Sequence, residues 1–267
     1  MIHHLCFEST TLTDKRRPVE RFFSSHAGDY SKSQSHASGS DLQALIDGLS
    51  PVGTETALDV GTGTGFTAIY LAGRVKQVIG IDLTSEMLDQ ARALVRRSGV
   101  ANAEFKLGDA TTIDFPDSSF DLLTTRRATH HFSDVSKFLS EARRVLEPNG
   151  RLGIVDMSPP RGAEAFTNRI EKLRDGSHVK AFTPEAWESM VAAAGFQVIS
   201  SQVLTERVSF ERWLYPVEGG GNEEEAIRSA WESAPDDVKG LLKAEFDGGE
   251  IIAWSKSRVV LIASKTP

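Results

Sequence analysis

The sequence predicts an α/β fold: a doubly wound sheet of mainly parallel strands with helices on both faces. Three observations carry that reading. Between residues 57 and 157, five short apolar runs that read as buried strands alternate with helical patterns. The first run ends in a glycine turn, Gly61, Gly63 and Gly65, and a helical stretch follows at once. Three successive runs end beside an acid: Asp59, Asp82 and Asp109. In an open parallel sheet, ligands bind outside the carboxyl ends of the strands, so acids in that register line one site.

The elements follow in order. Residues 1–20 are polar and mixed, and are expected to be a loose arm. Phe22–Asp41 is rich in Ser, His and Gly and reads as linker, yet Phe23, Tyr30 and His36 give it groups able to cover a ligand. Asp41 is expected to cap a helix over Leu42–Leu49, with Leu42, Leu45, Ile46 and Leu49 on one face. Pro51 and Gly53 end it. The strand Ala57–Val60 leads through the glycine turn to a helix over Thr67–Arg74. Next come a strand ending at Asp82, a helix over Ser85–Ser98 closed by Gly99, and a strand over Ala103–Leu107. Phe120–Thr125 is the fourth strand, Asp134–Leu146 an amphipathic helix stopped by Pro148-Asn149-Gly150, and Arg151–Met157 the fifth strand.

Beyond Ser158 the tight alternation stops. A helix is expected within Pro159–Asp175, and another over Glu185–Ala194, with Thr183 as cap and Pro184 at its first position. Strands are expected over Phe196–Leu204 and Arg258–Ser264, with largely helical, acidic chain over Asn222–Asp247 and a turn at Gly248-Gly249.

The glycine turn departs from the dinucleotide spacing G-x-G-x-x-G, and an acid precedes it. A carboxylate there opposes a pyrophosphate but suits an ammonium group, so the loop fits a nucleoside with a zwitterionic tail. Asp82 lies 17 residues after Gly65, near the ~20 expected of an acid that binds ribose hydroxyls. The formal net charge of −7 argues against a general nucleic-acid partner. One cysteine, Cys6, excludes an internal disulfide, and no metal site is expected. No apolar run approaches the ~18 residues of a membrane span, and the first residues lack a signal core, so a reducing cytoplasm is the expected location.

Taken together, LDVGTGTG (58–65), GIDLTSEML (80–88), GDA (108–110), FPDSSFDLL (115–123), HHF (130–132) and RVLEPNGRL (144–152) resemble the class I S-adenosylmethionine-dependent methyltransferases. The likeness is in particular to the ubiquinone/menaquinone-biosynthesis-like (UbiE-like, type 11) group. Residues 26–45 and 174–196 also resemble the family's N-terminal segment and the region before its late strands. The resemblance implies a Rossmann-like sheet of seven strands whose last strand, here Arg258–Ser264, is antiparallel and inserted between the fifth strand and Phe196–Leu204. Helical insertions would form a lid over substrate. The division implied is an N-terminal arm and helix (1–50), a cofactor-binding core (51–157), and a C-terminal half with the lid insertions (158–267).

It also implies S-adenosylmethionine as cofactor and S-adenosylhomocysteine as product, with roles carried residue by residue. Asp59, Gly61 and Gly63 match positions that hold the methionine end. Asp82 matches the acid on the ribose diol, with Leu83 beside it and Met87 near the adenine. Asp109 matches the acid that takes the adenine amino group, and Ala110 adds a backbone N–H. Arg126 would line the pocket beneath the sulfonium, and Arg126 and Arg127 are candidates to bind an anionic substrate. Where the acceptor needs a base, the candidates are His131, His130, His36 and Tyr30, with His131 best placed; the alternative for His131 is a structural role in the HHF turn. His178 is a further candidate for the acceptor pocket. The aromatics Phe166, Phe182, Trp187, Phe210, Trp213, Tyr215 and Trp231 either line that pocket or pack a core. The implied partner is a small-molecule methyl acceptor such as a quinol or phenol, on a monomer or homodimer. A cofactor-binding relative with a lyase, cyclase or sensor role is the alternative. A nicotinamide oxidoreductase fits the glycine spacing and Asp109 poorly.

Overall fold

The computed structural model describes residues 20, 23–24, 27–28, 39–215 and 221–266. Its strands are β1 Thr56–Val60, β2 Gln77–Asp82, β3 Ala103–Leu107, β4 Phe120–Arg126, β5 Leu146–Met157, β6 Phe196–Ser209, β7 Glu245–Asp247 and β8 Glu250–Lys265. Among the described residues the helices are α1 Ser40–Leu49, α2 Phe66–Ala72, α3 Ser85–Ser98, α4 Val135–Val145, α5 Glu164–Arg174, α6 Pro184–Ala193, α7 Phe210–Leu214, α8 Asn222–Glu232 and α9 Asp236–Leu241.

The main path of the sheet runs β3-β2-β1-β4-β5-β8-β6, with β7 added on β8. The first five strands are parallel, while β8 is antiparallel to both β5 and β6 and lies between them. The expected seven-strand order is therefore present, and β7 makes an eighth strand where helix was expected. Gly248 and Gly249 both have positive φ, which a two-residue hairpin turn requires, and they fold Asp247 back onto Glu250.

Each sheet face carries its own helices. Leu42, Leu45, Ile46 and Leu49 of α1 join Leu71 of α2 and Leu88 of α3 on one face. Phe138 and Leu139 of α4 join Trp187 and Val191 of α6 on the other. Each such fully buried side chain contributes about 1.5–3 kcal/mol of apolar transfer. α6 starts as its sequence demands: Pro184 needs no N–H bond at the first position, and the Thr183 hydroxyl accepts from the Ala186 N–H at 3.3 Å. α4 is capped by the Asp134 carboxylate, which accepts from Lys137 N.

The late strands are longer than their apolar cores. β6 and β8 run on past Leu204 and Arg258 as a two-stranded ribbon, through charged residues such as Glu206, Arg207 and Lys256. One side of that ribbon bears Val208, Ile251 and Trp254, which bury against α5, α7, α8 and α9 in a third apolar cluster. Trp254 meets Trp213 edge-on at 4.9 Å and lies tilted against Trp231 at 5.1 Å, and Phe166 meets Trp231 at 4.6 Å. Most of the aromatics weighed for an acceptor pocket are thus core of this helical cap or, as with Trp187, of the sheet, whereas Tyr215 is exposed. Glu171 of α5 ties the cap to the ribbon through Lys256 Nζ at 2.6 Å and the Trp213 indole N–H at 3.1 Å. Burial pushes the Glu171 carboxyl up, but Lys256, Arg174 and these hydrogen bonds outweigh it and leave it at about 2.

Candidate functional site

The loop after β1 turns back over the end of β2, because the N–H groups of Gly61 and Thr62 both donate to the Ile81 carbonyl, at 2.9 and 3.0 Å. Gly61 has φ +68°, and a Cβ on it would stand 2.6 Å from the Ala128 Cβ. Gly63 has φ +54°, with nothing within 4 Å of where its Cβ would be, so its bare backbone faces open space. That space is a cavity, partly open to solvent, along the carboxyl ends of the strands.

One end of the cavity is built from the acids after β2 and β3. Asp82 accepts from Gly63 N at 2.8 Å and from Thr84 N at 3.0 Å, which clamps the glycine loop to the strand end. Burial pushes its carboxyl up, against the pull of those N–H groups. Asp109 accepts from both the N–H and the hydroxyl of Thr111 at 2.8 Å. Leu83, Met87 and Ala110 complete this end with apolar surface.

Asp59 is placed differently from its expected position. Its carboxylate accepts from the hydroxyls of Thr62 at 2.6 Å and Thr124 at 2.7 Å, lies beneath the loop, and does not line the cavity. Burial pushes it up to about 6, against those two hydrogen bonds. The acid before the glycines therefore braces the loop in this structure. A cation bound above it would lower that value.

The other end of the cavity is assembled from distant segments. Asp41 does not cap α1, whose N-cap is Gly39. Instead its buried carboxylate binds Arg126 and Arg127 at 2.8 Å each, and neither arginine points to solvent. Burial pushes the Asp41 carboxyl up, but the two guanidinium groups more than reverse this and hold it well below its usual range. Both arginines border the cavity. The pair available to an anionic substrate is thus already half neutralised from α1.

The HHF step forms a 3₁₀ turn over Thr129–His131. His130 turns inward and its Nδ1 meets Asp156 of β5 at 2.6 Å; the same carboxylate accepts from His130 N at 3.0 Å and from the Thr129 hydroxyl. His131 lines the cavity. Its ring lies 4.0 Å from the His130 ring and meets Phe23 edge-on at 4.9 Å. Its Nδ1 is 3.0 Å from the Ser177 hydroxyl. Burial first, then the neighbouring His130, holds the imidazole well below its usual pKa. His178 is turned away, with Nε2 on Asn168 at 2.8 Å and no contact with the cavity. Tyr30 and His36 lie outside the described residues.

The sequence reading missed Asp156, Asp175, Ser177 and the true task of Asp41. Asp156, Ser177 and Asp41 meet partners far along the chain, and no spacing rule advertises such a pairing. The signal for Ser177 was closest to hand, in the Asp175–His178 turn, where the histidine drew attention instead.

One cavity along the carboxyl ends of the parallel strands thus joins the glycine loop and the acids after β2 and β3 to His131 and the two arginines. The methyltransferase domain family profile matches residues 58–154. The chain is 35% identical over 194 residues to the uncharacterized methyltransferase YcgJ of Bacillus subtilis, spanning 72% of this chain and 77% of that one. It is 36% identical over 163 residues to the demethylmenaquinone methyltransferase of Thermus thermophilus, spanning 53% of this chain and 74% of that one. The solved YcgJ structure superposes with a TM-score of 0.80 at 30% identity, covering 85% of this chain and 98% of that one. This chain belongs to the S-adenosylmethionine-dependent methyltransferases, in the group that includes the demethylmenaquinone enzymes.

Proposed function

We propose that the enzyme methylates a small hydroxyl-bearing molecule, of the quinol or phenol kind, at the His131 end of the cavity. The observation that carries this reading is the continuity of one cavity from Asp82 and Asp109 to His131. The first end suits a nucleoside: Gly63 leaves room against the backbone, Asp82 presents a carboxylate for a ribose diol, and Asp109 one for an adenine amino group. Leu83, Met87 and Ala110 would pack the base, and Gly61 and Gly63 would lie along the methionine tail. Asp59, from beneath, and Arg126, from the cavity wall, would set the field around that tail. When bound, S-adenosylmethionine supplies a methyl group on a sulfonium, already activated for in-line displacement.

The chain's own work is alignment, exclusion of water and removal of one proton. Phe23 and Phe132 wall the acceptor end. His131, kept neutral by burial, takes the acceptor's hydroxyl proton as that oxygen, or a ring carbon conjugated to it, attacks. Demethylmenaquinone methyltransferases among the relatives support an acceptor of quinol type. Calorimetric titration tests the first half: S-adenosylmethionine and S-adenosylhomocysteine should bind in the micromolar range, and NADH should not. For the second half, His131→Gln should lower turnover of a quinol or phenol acceptor by about 100-fold or more. An unchanged rate in that variant would remove His131 as the base.

A further inference from the structure

We infer that Ser177 and Asp175 are positioning residues for His131: through the Ser177 hydroxyl, the Asp175 carboxylate fixes His131 as the Nδ1–H tautomer and leaves Nε2 as its basic nitrogen. The inference rests on the proposed role of His131, and it adds residues from the long insertion after β5 to the site.

The hydrogen bonds dictate the direction. A serine hydroxyl has one proton to give. Ser177 Oγ lies 2.5 Å from Asp175 Oδ1, and an ionised carboxylate only accepts, so the proton goes there. Asp175 Oδ1 also accepts from Ser177 N at 2.8 Å, which holds the turn shut. With its proton committed, the Ser177 oxygen is an acceptor toward His131 Nδ1 at 3.0 Å, and that nitrogen must carry hydrogen. The lone pair then falls on Nε2. Nε2 is 3.9 Å from Asp175 Oδ2, too far for a hydrogen bond. It is near enough for the carboxylate to favour the imidazolium formed when the ring takes a proton. In that step the acceptor's O–H bond breaks, the proton passes to Nε2, and the electron pair stays on oxygen.

The segment bearing these residues is docked on the same turn: the N–H groups of Val179 and Lys180 both donate to the His130 carbonyl, at 2.8 and 3.1 Å. The other charged groups facing the ring are accounted for. His130 is held by Asp156 on the β5 side, and Arg126 and Arg127, across the cavity, are held by Asp41. His178, on the loop itself, is held by Asn168. That leaves Ser177 as the partner of Nδ1.

Nitrogen-15 NMR of the full chain, histidine-labelled and saturated with S-adenosylhomocysteine, tests this without an acceptor. The His131 resonances are those missing from the His131→Gln spectrum. At neutral pH they should report the Nδ1–H tautomer, and Ser177→Ala should move the population toward Nε2–H, the form a neutral histidine side chain prefers in water. Ser177→Thr should restore the wild-type pattern, and Asp175→Asn should shift it partway if Ser177→Ala proves unstable. Wild-type protein in the Nε2–H form, or nitrogen shifts untouched by both variants, overturns the inference. The base reading fails separately, if His131→Gln transfers methyl at the wild-type rate whatever the tautomer.

Discussion

The two ends of the cavity are built on different principles. At the nucleoside end the polar contacts are short-range: Asp82 to Thr84 and Asp109 to Thr111 are two residues apart, and even Asp82 to Gly63 spans only 19. At the acceptor end, Asp41 reaches Arg126 across 85 residues, His131 reaches Ser177 across 46, and His130 reaches Asp156 across 26. The first end is turn chemistry at strand termini, repeated after β2 and β3. The second is a set of buried charges that close only when α1, β4, β5 and the insertion after β5 have all packed. On the proposed function, such a contrast would let the first end keep its cofactor while a change of insertion altered only the second.

The largest effect that would sharpen this contrast is expected from Asp41→Ala. It strips two buried guanidinium groups of their shared carboxylate, a loss of about 3–5 kcal/mol. Thermal unfolding should shift down by roughly 6–20 °C. The partnership is also acid-sensitive. The folded-state pKa of Asp41 is depressed, so its contribution is full above about pH 4 and fades as pH falls below that. A variant as stable as the wild type would mean that the acceptor end does not depend on its long-range charges.

Asp82→Ala comes next and should strike binding more than folding. Losing the ribose acceptor and the clamp on Gly63 should weaken S-adenosylhomocysteine binding about 100-fold, roughly 2.7 kcal/mol. Calorimetry checks it, and a change below about threefold would dismiss the ribose assignment.

The smallest effect concerns Asp59, which sits between the two ends. Its folded pKa is raised, so the stability it contributes is full below the usual value of 3.8 and is lost as pH rises through about 6. Asp59→Asn removes that titration. In ligand-free protein the variant should gain on the wild type by about 2 kcal/mol between pH 4 and pH 8. Melting temperatures measured in parallel should show the gap widening by roughly 4–8 °C. A gap independent of pH would mean that Asp59 is ionised throughout.

What could be read in advance followed the same divide. β2, α3 and β3 begin and end where the sequence placed them, because period, caps and glycine stops all act within a few residues. β6 and β8 outran their expected ends. Residues 205–209 pair with 253–257 as a ribbon whose cap-facing side mixes the charged Glu206 and Lys256 with the buried Val208 and Trp254, so no clean apolar alternation marks it in the sequence. Asp41 looked like a cap since Asp favours that position. Two buried guanidinium groups make a stronger partner for a carboxylate than one backbone N–H.

By itself, then, the sequence determined the parallel half of the sheet, the glycine loop, the acids at the ends of β2 and β3, and the family to which the chain belongs. These rest on backbone sterics and turn chemistry, which depend on neighbours along the chain. Only the tertiary structure decided that Asp59 braces the loop from below, that Asp41 binds both arginines, that His130 is bound to Asp156, and that His131 meets Ser177. Those pairings arise because a buried charge or polar group must find its partner wherever packing brings one, and that partner's place in the sequence is left free.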